Sequence, residues 1–116
     1  MKNLEGRRKR YLRDPLPIRL GGLAANLGRI SSLARGGISD TALEVMFEES
    51  LYFVEWTAAD AEPEVAAALV DIQLLLALWR KAWPEAQQHK AQRTLLSVQA
   101  RKWADQVLDY SGLLDA

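Results

Sequence analysis

Apolar residues recur every three or four positions along almost the whole chain, and no window alternates apolar and polar residues in period two for long. This pattern confines the fold to helices, because only a 3.6-residue period gathers such residues onto one side of an element. Asn-Gly or Asp-Gly turns between β-branched runs, the usual mark of hairpins, are absent. Proline and glycine then divide the pattern. Asp14-Pro15 provides an N-cap and a first helical residue, with Pro17 able to move the start, and Gly36-Gly37 closes this first helix. Ser39 caps a second, with Ile38 and Leu43 at the spacing of a hydrophobic staple. Asp60 caps a third, whose first turn holds Glu62, Pro63 and Glu64; acids there are favoured by the helix dipole. Trp83-Pro84 interrupts it, Pro84 opens a fourth, and Gly112 stops that one after Ser111. A single kinked helix over 61–111 is the alternative. The expected fold is all-α: a four-helix up-down-up-down antiparallel bundle over 14–116, with helices at about 15–35, 39–59, 61–83 and 84–111, preceded by a basic N-terminal arm, 1–13.

A chain of 116 residues suits one domain with one core. It contains no cysteine, which excludes disulfide scaffolds, thiol nucleophiles and cysteine metal sites and is compatible with a reducing cytoplasm. Met1 to Arg13 carries Arg7, Arg8, Lys9, Arg10 and Arg13 where a signal peptide needs an apolar run. The most apolar stretch, Val65 to Trp79, is too short to span a bilayer and holds Asp71 and Gln73. A cytoplasmic protein without a membrane span is expected. Net charge is zero, but its distribution is uneven: residues 1–35 hold 9 bases and 2 acids, 36–79 hold 9 acids and no base, and 80–116 hold 6 bases and 4 acids. Oppositely charged segments attract, within one chain or between copies.

The four predicted helices each offer a core stripe: Leu20, Leu23, Leu27, Ile30 and Ala34; Leu43, Met46, Phe47, Leu51, Val54 and Ala58; Val65, Leu69, Ile72, Leu76, Trp79 and Trp83; Leu96, Ala100, Trp103, Val107 and Tyr110. A second line on the first helix, Gly21, Ala25, Gly28 and Ser32, is small enough for close contact with another helix. The second and third helices carry apolar residues on their backs as well: Val45, Tyr52 and Trp56 beside Glu49, and Val70, Leu74 and Leu78. A helix that is apolar all round is usually covered on both sides, and four helices of this length cover one side well. These residues form a candidate interface, most simply of a twofold homodimer or with a helical protein partner. An acidic line, Glu44, Glu48 and Glu55, and a basic line, Lys90, Arg93 and Arg101, would meet more readily between subunits than within one; a solvated surface is the alternative.

Catalytic signals are lacking. No Glu-x-x-His motif supports a di-metal carboxylate centre, and His89, the only histidine, lacks the neighbours of a phosphotransfer site. Phosphate-binding loops and nucleophile elbows are missing. No catalytic, cofactor-binding or metal-ligating residue is assigned, and a non-enzyme is expected. The arm Arg7-Arg8-Lys9-Arg10-Tyr11-Leu12-Arg13 remains: Arg7, Arg8, Lys9, Arg10 and Arg13 suit an anion-binding role toward nucleic acid or anionic lipid, or docking onto the acidic second helix.

The segment Asp14-Pro15-Leu16-Pro17-Ile18-Arg19-Leu20-Gly21-Gly22-Leu23-Ala24-Ala25-Asn26-Leu27 resembles a stretch found in small uncharacterised helical proteins of cyanobacteria. The resemblance covers about the first third of the chain. It implies a bacterial cytoplasmic origin and carries over no functional residue. The leading expectation is an adaptor or regulator acting through protein–protein contact as a homodimer, with nucleic-acid binding through the arm as the alternative.

Overall fold

The computed structural model of the chain describes residues 3–36 and 40–115. Among these the protein is all-α, with no strand and with five helices instead of the four expected: α1 Leu4–Arg13, α2 Leu16–Gly36, α3 Asp40–Ala58, α4 Pro63–Ala86 and α5 Lys90–Ser111, followed by a short 3-10 turn, Leu113–Asp115. The extra helix is the basic segment read as an arm. Leu4 and Tyr11 lie two turns apart on one side of α1, and that side packs on α3.

Local chemistry explains most helix ends. Asp14 is extended (φ −77°, ψ 145°) and terminates α1, as a residue before proline prefers. The carbonyl of Pro15 accepts the N–H groups of Ile18 and Arg19, so α2 begins one residue after the expected Pro15. Pro17 falls in its first turn, where no N–H is required. The Ser39 cap, the Ile38 staple and Gly37 lie outside the described residues. Glu62, not Asp60, stands at the N-cap of α4, with Pro63 at the first position; the Asp60 carboxylate instead accepts Arg19 Nη1 at 2.9 Å.

Pro84 does not open the last helix, as the sequence suggested. α4 runs through it to Ala86, and the break falls at Gln87–His89. Trp83 and Ala86 are both buried, so continuing the helix places two core side chains. Proline so near the end forfeits little of the ladder. Gly112 (φ 70°) closes α5 in the left-handed conformation, as expected.

α2 packs on α3 and, most extensively, on α5; α4 packs on α3 and α5. Leu23, Leu27, Ile30, Phe47, Val54, Leu69, Leu76, Leu96 and Val107 are fully buried at the centre, each contributing about 1.5–3 kcal/mol from leaving water. Small residues let α2 and α5 approach: Ser31 Oγ donates to the Ser97 carbonyl at 2.7 Å, and Arg35 Nε donates to Ser97 Oγ at 2.7 Å.

Candidate interaction surface

The seven residues proposed for an interface separate into two groups. On α3 most are covered within the chain. Trp56 is only 8% exposed, lying between Tyr52 (centroids 5.4 Å) and Tyr11 (5.7 Å). Glu49 binds Arg7 of α1 and accepts Asn26 Nδ2 of α2 at 2.9 Å, so it ties three helices together. Tyr52 is half-buried, and Val45 stays exposed. Helix α1 therefore takes the place on α3 that sequence reasoning reserved for a partner. Docking of the basic segment onto the acidic second helix was among the expectations from charge, and Arg7–Glu49 meets it; that the segment docks as a helix was not expected, and the Leu4/Tyr11 spacing ahead of the Asp14-Pro15 break was the signal for it.

Tyr11 is the anchor of that docking. Its ring stacks on Phe53 with centroids 4.1 Å apart. Its hydroxyl lies 2.6 Å from Thr57 Oγ1 and donates to the Arg19 carbonyl at 3.0 Å. Burial pushes the phenol from 10.0 up to about 12, partly opposed by the Thr57 hydrogen bond and by Arg19. Arg19 completes the joint, donating through Nε to the Asp14 carbonyl at 3.0 Å as well as to Asp60.

On α4 the outcome is different. Val70, Leu74 and Leu78 remain 50%, 61% and 55% exposed and form one ridge at i, i+4 and i+8, on the side of α4 opposite Leu76. Trp79 Nε1 donates to Gln99 Oε1 at 2.8 Å and pins α4 against α5. Leu75 on α4 and Leu95 on α5 are exposed as well. A row of exposed apolar residues along one side of a helix is a contiguous feature, unlike the scattered apolar residues of an ordinary surface.

The remaining residues singled out by sequence are dispersed. Ala25 and Ser32 are exposed and, with Gly28, border a shallow groove shared with Arg29, Leu33 and Arg101. A Cβ at Gly28 would meet only Arg101 at ordinary contact distance, whereas at Gly21 it would come within 2.9 Å of Leu113 Cδ1. Gly21 thus lies against the end of the Leu113 side chain, which is 40% exposed. The acidic line of α3 is met inside the chain, where Arg80 Nε donates to Glu44 at 2.7 Å and Nη2 lies 3.6 Å from Glu48. Arg93 caps the Gln87 carbonyl at 2.6 Å, and Arg101 lies 3.9 Å from Asp105. Of the basic segment, Arg7 is paired with Glu49, while Arg8, Lys9, Arg10 and Arg13 are exposed. His89 is exposed in the turn before α5.

Among the described residues no three His, Asp or Glu side chains converge as metal ligands, and no helix is long and apolar enough to cross a membrane. Fold and surface together define an all-helical protein with an uncovered apolar ridge on one helix. No family model, curated protein or solved structure matches the chain, so any role must be argued from this geometry.

Proposed function

We propose that the protein is a non-enzymatic interaction module, an adaptor or regulator, that self-associates through the outer side of α4. In this reading α2–α5 form an antiparallel four-helix bundle carrying α1 as an outer strut. One observation carries it: Val70, Leu74 and Leu78 expose half or more of their surface in a single row. Leaving such a row in water forgoes about 25 cal/mol per Å² of apolar area, which a partner surface recovers. A cysteine-free composition suits work in the cytoplasm.

Sedimentation velocity across a concentration series tests the reading. The wild-type chain should shift from monomer toward dimer in the micromolar range. Leu78→Glu should weaken association at least about tenfold, because a charge at the centre of an apolar contact is desolvated without a partner. A wild-type chain that stays monomeric at high micromolar concentration removes the proposal.

A second reading follows from α1, where Arg8, Lys9, Arg10 and Arg13 are exposed on a ten-residue helix and none is in an ion pair among the described residues. Four such cations can neutralise phosphates, so duplex DNA or RNA should bind with a marked salt dependence. Replacing all four with Gln should lower the slope of log K against log salt by about 3 to 4. Binding unchanged by the replacement would eliminate this reading.

A further inference from the structure

We infer that self-association pairs α4 with α4 of a second copy in an antiparallel, twofold arrangement centred opposite Leu76 and set in register by ion pairs between Asp71 of each copy and Lys81 of the other. The inference rests on the self-association reading and adds the geometry to it. Leu76 is fully buried in the core, so the opposite side of the helix at that level faces outward. Around this point the exposed residues are arranged in matched positions. Leu74 and Leu78 lie equally far to either side of residue 76, and Asp71 and Lys81 lie equally far beyond them. All four are exposed.

A twofold axis perpendicular to α4 at this level brings Leu74 beside the partner's Leu78 and Asp71 beside the partner's Lys81. By symmetry each contact occurs twice. Parallel pairing about the same ridge sets like charges against each other, Asp71 on the partner's Asp71 and Lys81 on the partner's Lys81, and is disfavoured. Charge complementarity thus selects a second copy in one orientation. The two charges are also available. Arg80, the neighbour of Lys81, turns toward Glu44 and Glu48 inside the chain, whereas neither Asp71 nor Lys81 is in an ion pair among the described residues.

The contact is modest in size. α4 is about 36 Å long at 1.5 Å per residue, and a strip along one helix falls short of the roughly 800 Å² per partner of a standard interface. The exposed Leu75, next to Leu74 in sequence, widens it, so the dimer is a pairing of two α4 helices with affinity on the order of micromolar.

Exchange of the two charges tests the register. Asp71→Lys and Lys81→Asp, each alone, place like charges across both contacts and should weaken self-association about tenfold. An equimolar mixture of the two single variants should associate with wild-type affinity, because each then meets the opposite charge in the other, and the D71K/K81D double variant should recover it too. Both positions are exposed, so thermal unfolding at concentrations where the chain is monomeric should be unchanged, and circular dichroism checks this. Single variants that retain wild-type affinity, or that are weakened without recovery on mixing, overturn the register while Leu78→Glu still reports on α4 self-association. A monomeric wild-type chain overturns both.

Discussion

Replacing Phe47 with Ala is expected to lower the free energy of unfolding by about 3–5 kcal/mol, a large part of the roughly 5–15 kcal/mol that holds a domain of this size together. Phe47 is fully buried on α3 and meets Trp83 of α4 edge to face, with centroids 6.2 Å apart and planes at 69°. Trp83 in turn contacts Trp79 at 6.4 Å, so one ring supports two others at the end of α4. Removing it opens a cavity that rigid helices on either side cannot collapse into, and the lost contacts add to the lost transfer energy. Urea unfolding followed by circular dichroism should show a lower midpoint with an unchanged slope. A midpoint within error of the wild type would mean that α3 and α4 do not share this core.

The second large effect concerns Tyr11. Tyr11→Ala should release α1 from α3, because it removes the ring stacked on Phe53 and the hydroxyl bonded to Thr57 and the Arg19 carbonyl together. The expected cost is about 3–4 kcal/mol, within the range for large aromatic truncations. Two further readouts separate release of α1 from general loss of stability: trypsin cleavage within residues 7–13 should become rapid, and Trp56, no longer covered, should emit at longer wavelength. Alkaline pH should act on the same joint. The folded phenol titrates at about 12 against 10.0 in a model compound, so the neutral form is favoured in the folded chain. Its contribution is present in full below pH 10 and lost as pH rises from 10 through 12, on the order of 2 kcal/mol in all. Tyr11→Phe should be less stable than the wild type at pH 8, with the difference narrowing above pH 10. A constant difference across that range would show that Tyr11 does not titrate within the joint.

The periodicity of apolar residues determined by itself that this chain is helical, and it identified the core of each long helix, because burial on one side of a helix leaves a 3.6-residue trace. Leu23, Phe47, Leu76 and Leu96 were legible in this way, as was the stop at Gly112. The ridge Val70, Leu74 and Leu78 was legible too, since a helix apolar on both sides shows twice in its own sequence. Three things were decided only by tertiary structure. The basic segment became α1 because Tyr11 found Phe53 and Thr57, residues more than forty positions away. α4 continued past Pro84 to the buried Ala86, since a proline so near the helix end forfeits little of the ladder. Trp56 and Glu49 were withdrawn from any outer interface by α1, whereas Leu74 and Leu78 were not. Local pattern records which side of a helix avoids water; charge complementarity pointed the basic segment to the acidic second helix, but which side chains meet there depends on contacts between residues far apart in the chain.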